Sequence, residues 1–125
     1  MQDLSFRQCV TAFALAIPVA VASAKACAPS ELGTFENAQR QVQRIEEFKK
    51  WRASHAFPVA FSLGENTTSR IRSRCYWQVP VYADRPERFE LWHVFYVSNR
   101  RSEILVMDVN GQPETLDAWR KKSAR

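Results

Sequence analysis

Residues 70–82 read Arg70-Ile71-Arg72-Ser73-Arg74-Cys75-Tyr76-Trp77-Gln78-Val79-Pro80-Val81-Tyr82. Side chains along an extended strand alternate between two faces. On that rule Ile71, Ser73, Cys75, Trp77, Val79 and Val81 share one face, and Arg70, Arg72, Arg74, Tyr76, Gln78, Pro80 and Tyr82 share the other. The stretch therefore predicts one long strand with an apolar side that needs a cover and an opposite side carrying arginines and tyrosines.

Working outward, Asp84-Arg85-Pro86-Glu87 is a polar turn and residues 89–97 are a second strand. Phe89, Leu91, His93, Phe95 and Val97 line up on one side of it, with Glu90, Trp92, Val94 and Tyr96 on the other. Residues 99–102 turn the chain, residues 104–109 form a further strand, and Asn110-Gly111 is a tight-turn signal. Thr115 is placed to cap a short helical turn through Leu116 and Trp119, ahead of a basic tail over residues 120–125. On the N-terminal side, residues 57–63 read as a first strand with Pro58 near its start, where proline is tolerated, and Gly64-Glu65-Asn66 is a turn.

The cover for the apolar face comes earlier still. Phe35, Ala38, Val42, Ile45, Phe48 and Trp51 recur at helical spacing over residues 35–53, Thr34 is a good N-cap and Glu36 favours the first turn. Residues 25–33, with Pro29 and Gly33, read as a tether. Strands joined by short turns pair antiparallel. The expected fold is α+β: one long N-terminal helix packed on a curved, mostly antiparallel sheet of about four strands, in a single domain over residues 34–119.

The first residues carry a compartment signal. Arg7 precedes the uncharged, largely apolar run 9–22, and Ala22-Ser23-Ala24 is an A-x-A site, the order of a cleavable secretory signal. The run is short of the roughly 20 apolar residues that a membrane-spanning helix needs. Residues 1–24 are read as the signal peptide, and the mature chain as exported, to the periplasm or the medium, without a transmembrane span. A second cut after Ala26 would leave Cys27 first, the position of a lipid anchor, but Lys25 departs from the lipoprotein pattern. Of the three cysteines, Cys9 leaves with the signal, and Cys27 and Cys75 remain as an even pair in an oxidising compartment. Their bond would close a loop of 48 residues, which in the chain-entropy treatment is worth about 4 kcal/mol. The alternative is a buried free thiol at Cys75.

The chain carries a net charge of +5. Cleavage after Ala24 removes one basic side chain, Arg7, and one acidic, Asp3, so the mature charge is unchanged. A moderate basic excess attracts acidic partners, and export makes nucleic acid an unexpected one. Asn66-Thr67-Thr68 is a glycosylation sequon, of consequence only in a glycosylating producer.

In its order of elements the chain resembles small exported domains of the cystatin-like or NTF2-like helix-on-sheet plan. The run Tyr76-Trp77-Gln78-Val79-Pro80-Val81-Tyr82, followed by Trp92-His93-Val94-Phe95-Tyr96-Val97 and Ile104-Leu105-Val106-Met107-Asp108, is also similar to PepSY-type domains. The Gln-x-Val-x-Gly loop of cystatins is absent, and Ser98-Asn99-Arg100-Arg101-Ser102 departs from the PepSY hairpin turn. The resemblance implies a binding or inhibitory role.

No motif assigns catalytic residues. Ser54, His93 and Asp108 lack any nucleophile-elbow context, and two cysteines without a nearby histidine pair do not make a tetrahedral metal site. No metal and no cofactor are expected. His93 on an apolar strand face is the candidate polar contact of a pocket beneath the sheet. The candidate binding surface is Arg70, Arg72, Arg74, Tyr76, Tyr82, Trp92 and Tyr96, since arginine with aromatic side chains makes interface anchors. It suits an acidic protein partner or an anionic polymer. The plainer reading is a solvated face in which Arg72 or Arg74 pairs with Glu90. Three functions follow: an exported, non-enzymatic binding protein, of the inhibitor or immunity type, acting on an envelope enzyme; a small-ligand-binding or enzymatic cone using His93; or a structural envelope component held to anionic polymer. The sequence carries no signal for the partner's identity or an oligomeric state.

Overall fold

The computed structural model describes residues 27–124. The signal peptide expected over residues 1–24 lies outside them. The fold is α+β. It opens with α1 (Pro29–Leu32), α2 (Phe35–Gln43) and α3 (Glu46–Ala53). The strands β1 (Val59–Ala60), β2 (Thr67–Ile71), β3 (Arg74–Asp84), β4 (Phe89–Ser98), β5 (Glu103–Met107) and β6 (Pro113–Thr115) follow, and α4 (Leu116–Ser123) closes the fold. The sheet runs β1-β3-β4-β5-β6, with β2 also paired to β3, and every pairing is antiparallel.

The single long helix expected over residues 35–53 is two helices. Ile45 between them is extended, at φ −71° and ψ 134°. The apolar spacing explains the break. At about 100° per residue, three successive steps of three residues, Val42 to Ile45 to Phe48 to Trp51, rotate the stripe by about 180°. One straight helix would carry Trp51 away from the sheet. A break at Ile45 resets the phase, and Glu46 and Glu47 then open the new helix with favourable charge. Val42, Ile45 and Phe48 are all buried as a result.

The strand expected across residues 70–82 is also two elements. β2 ends at Ile71 and β3 begins at Arg74, joined by Arg72 and Ser73 at φ 50° and 65°. Two central residues with positive φ make the tight hairpin turn whose twist suits the strands. Pairing Ile71 with Arg74 and Arg70 with Cys75 places Ile71 on the face away from the helices, not with Cys75 as the single-strand reading had it. The sheet has six strands, not four, because this hairpin adds β2 and the three-residue β6 is too short to show a period, while the first strand expected over residues 57–63 is reduced to Val59–Ala60.

Helices and sheet enclose Phe35, Ala38, Val42, Ile45 and Phe48 against Phe61, Val79, Val81, Phe95, Val97 and Val106. Residues 27–33 pack onto this body. Leu32 is buried, and Cys27 is bonded to Cys75 with Cα atoms 5.7 Å apart. Asn99, in the turn after β4, ties the same segment down. Its Nδ2 donates to Leu32 O at 2.6 Å and Thr34 O at 2.9 Å, and its Oδ1 accepts from Asn37 Nδ2 at 3.1 Å and Gln41 Nε2 at 2.7 Å. The opposite sheet face holds a second apolar cluster of Tyr76, Tyr96 and Leu105, flanked by Ile71, Val94 and Met107. Among the described residues no helix is long and apolar enough to cross a membrane.

Candidate functional site

The sheet contains a notch. β5 pairs with β4 only from Phe95↔Val106 to Ser98↔Glu103. It then stops, because Asp108 closes a turn: its Oδ1 accepts from the amides of Asn110 and Gln112 at 2.8 and 2.9 Å, and Gly111 takes φ 78°. That positive φ is what glycine supplies without steric cost. The chain returns as β6 on the far side of β5. Residues 89–94 of β4 are thereby paired to β3 on one side with no strand of the described residues along the other.

A bulge shapes this open edge. Val81 pairs with His93 and Tyr82 with Leu91, leaving Trp92 as the extra residue. A bulge of this kind sets two residues against one and re-aims side chains. Trp92 and His93 both turn to the helix side, where Trp92 lies flat on Trp51, with centroids 4.7 Å apart and planes 9° apart. Trp119 of α4 closes the notch from below, meeting His93 edge-on at 5.0 Å and Phe95 at 6.0 Å. α4 is fixed by the Thr115 cap on the Ala118 amide and by Arg120 and Lys122, which pair at 2.6 Å with Glu47 and Glu114 respectively. The Arg120 hydrogen bond holds the Glu47 carboxyl below its ordinary value.

The groove that results has a volume of about 460 Å³, with Leu91, His93, Val94, Met107, Val109 and Trp119 along its walls. Leu91 and Val109 stand at its mouth at 50% and 101% exposure, and Phe89 beside them is 48% exposed. Burial pushes the His93 imidazole below its ordinary value, so it is neutral at pH 7. Asp108 and Ser123 share the groove. The Asp108 Oδ1 is engaged by two backbone amides, and the Ser123 hydroxyl donates to Trp119 O at 3.0 Å. Ser54 donates its hydroxyl to Trp51 O at 2.6 Å. The groove offers an unpaired strand edge, apolar walls and one neutral imidazole, which is equipment for binding. No cluster of His, Cys, Asp or Glu suited to a metal ion occurs among the described residues.

No family model, curated protein or solved structure matches this chain.

The residues singled out from sequence do not form one surface. Arg72 sits in the β2–β3 turn and Arg74 points to the outer sheet face, paired with Glu103 at 3.1 Å rather than Glu90. Arg70, opposite Cys75 in register, belongs to the other face. Glu90 pairs instead with Arg85 and Arg88. Tyr76 and Tyr96 are on the outer face but buried, at 2% and 6% exposure. Burial, followed by the Glu103 carboxylate, raises the Tyr76 hydroxyl above its ordinary value. Arg72, Arg74 and Tyr76 do line one recess of about 260 Å³ with Glu103 and Glu114. Tyr82 packs edge-on against Phe89. Trp92, expected beside Tyr96, faces the helices because of the bulge. The open edge, its exposed Phe89 and Leu91, and the Asn99 tie were not singled out from sequence.

Proposed function

We propose that the chain is an exported, non-enzymatic binding protein that captures an extended segment of a protein partner along the open edge of β4. The observation that carries this reading is the end of the β4–β5 pairing at Phe95↔Val106, which leaves residues 89–94 paired to β3 on one side and to no strand of the described residues on the other. An open edge with exposed apolar side chains is a template for another strand, and soluble proteins usually blunt such edges with charge, proline or cover. A segment added there would exchange main-chain hydrogen bonds with β4 and set alternate side chains against Leu91 and Val109 and against His93 and Trp119. Six residues of strand span about 20 Å, enough for a short peptide. The partner class kept from the sequence is an envelope enzyme that the chain inhibits or to which it confers immunity. That fits the binding or inhibitory role implied by the cystatin-like, NTF2-like or PepSY-type resemblance. The disulfide is compatible with an oxidising compartment.

Peptide display against immobilised mature protein tests the reading. Enriched peptides should alternate apolar side chains, and Leu91→Lys should abolish their binding with the thermal midpoint unchanged. Equal capture by the variant, or no enrichment, would count against strand addition. One observation favours a second reading, a small-ligand cup: the half-buried His93 imidazole faces the groove. In that case His93→Gln, not Leu91→Lys, removes binding.

A further inference from the structure

The apolar cluster on the sheet face away from the helices draws only on strand residues. Alternation from Tyr76 sets Gln78, Pro80, Tyr82 and Asp84 on that face along β3. The register adds Val94 opposite Pro80 and Leu91 opposite Tyr82, and Phe89 meets Tyr82 edge-on. An antiparallel sheet with one solvated face normally turns polar side chains outward. Here Gln78 is the one polar outward position of β3 between Arg74 and Asp84. Phe89 and Leu91 are exposed, and Pro80, Tyr82, Val94 and Met107 are half-buried. A contiguous apolar patch rimmed by polar residues marks an interaction surface.

The charged rim lies at the two ends of β3, and the ends differ in sign. Trp77 pairs with Val97, so the β2–β3 and β4–β5 turns lie at the same end. There Arg72 and Arg74 stand with Glu103 around the recess of about 260 Å³. Glu114 in the same recess is paired with Lys122, and the β4–β5 turn adds the exposed Arg100 and Arg101. These four arginines against Glu103 leave a net charge of +3. At the other end, Asp84, Glu87 and Glu90 against Arg85 and Arg88 leave −1. Both of those arginines pair with Glu90. Asp84 and Glu87 are exposed and, among the described residues, in no salt bridge.

We propose that this face packs on the same face of a second copy of the chain, about a two-fold axis crossing β3 near Val79. Two arrangements are open to an aligned sandwich of identical sheets. With β3 parallel to its copy, arginines would lie on arginines. With β3 antiparallel to its copy, each arginine end meets the Asp84 and Glu87 end of the other, because Arg74 and Asp84 are each five residues from Val79. This self-complementarity selects a second copy as the occupant. The area suffices. β3 and β4 run about 35 Å and β2 and β5 about 17 Å, each about 4.8 Å wide, a flat area of about 500 Å². Side-chain relief raises the accessible surface to the roughly 600 Å² per partner at which stable interfaces begin. The open β4 edge lies in the plane of the sheet and remains free, so the inference does not rest on what the notch binds.

Sedimentation velocity of the mature protein over a concentration series is the experiment. The wild type should pass from monomer to dimer at about micromolar concentration. A wild type still monomeric at about 100 μM, well above that range, overturns the proposal. Asp84→Lys/Glu87→Lys and Arg72→Glu/Arg74→Glu should each weaken association at least about tenfold, because like charges then meet at both ends. Mixing the two variants in equal amounts should restore a one-to-one dimer, since each reversed end then meets its opposite. A mixture that associates no better than either variant alone overturns the arrangement. So does undiminished association of either variant, the result that edge-to-edge pairing of β4 would give. If the arginine variant fails to fold, Asp84→Lys/Glu87→Lys decides alone, because exchanging exposed, unpaired side chains leaves stability nearly unchanged. Its weakened association then supports the interface, and association equal to the wild type overturns it.

Discussion

Replacing Asn99 with alanine removes all four hydrogen bonds that join the β4–β5 turn to the N-terminal segment. A net contribution of about 1 kcal/mol per bond sets an upper figure near 4 kcal/mol. The surroundings lower it. Leu32 O keeps a second donor in the Trp77 indole at 3.1 Å, and the Asn37 and Gln41 amides can turn to water. A loss of about 2 kcal/mol is expected, or about 8–16 °C in the thermal midpoint for a domain of this size. Asn99→Asp should be at least as damaging, since it sets carboxylate oxygen against the Leu32 and Thr34 carbonyls. Urea unfolding measures both. The contact has a built-in partner test at Gly33, which holds φ 64° and where a Cβ would lie 2.9 Å from Asn99 Nδ2. Gly33→Ala should cost the intact protein the strain of φ 64° and ψ −154°, about 1–3 kcal/mol, plus the collision with Nδ2, but the Asn99→Ala protein only the strain and the milder 3.2 Å contact with the Cβ that alanine keeps. An Asn99→Ala loss below about 0.5 kcal/mol, the range of ordinary surface changes, or additive effects of the two substitutions, would refute the tie.

Three further outcomes follow. Removing the disulfide as Cys27→Ala/Cys75→Ala should cost about 4 kcal/mol by loop-closure entropy, measured by denaturant midpoint. A change within error would mean that the segment from Cys27 is held without it. His93 is kept neutral by burial, so its contribution is whole above its ordinary value of 6.5 and is lost as pH falls below it. The thermal midpoint should drop between pH 7 and 5.5 in the wild type and less in His93→Gln, and identical pH profiles would exclude this. Intact-mass measurement of exported material should show that residues 1–24 are gone, whereas full-length chain in that fraction would contradict the export reading.

The amphipathic pattern of 35–53 and the alternation of Trp77, Val79 and Val81 named the residues that meet in the main core, so the helix-on-sheet plan was legible. The hairpin at Arg72-Ser73 was not. No glycine or asparagine marks the turn, and the polar-apolar alternation of β2 runs into that of β3 as if the chain were straight. The bulge at Trp92 was hidden differently. The run Trp92-His93-Val94-Phe95-Tyr96 is apolar or aromatic at every position, so a one-residue change of phase leaves no trace in the pattern. The candidate surface inherited both errors. Its three arginines were aligned along a strand that turns back on itself, and its tryptophan was placed on the wrong face. The three still gather at one end of the sheet, around the β2–β3 turn instead of along one strand. The length of β5 against β4, which creates the notch, depends on where Asp108 folds its turn, and a strand's end is less well marked than its middle.

Amide hydrogen exchange across β4 tests the open-edge account most directly, measured on the mature protein alone and saturated with the tightest peptide from the display selection. Alternate amides of residues 89–94 should exchange rapidly in the free protein, because they face no strand, and slowly once the peptide is bound, while the β3-paired amides stay protected throughout. Protection gained elsewhere with 89–94 unchanged, or full protection of 89–94 in the free protein, would contradict the account.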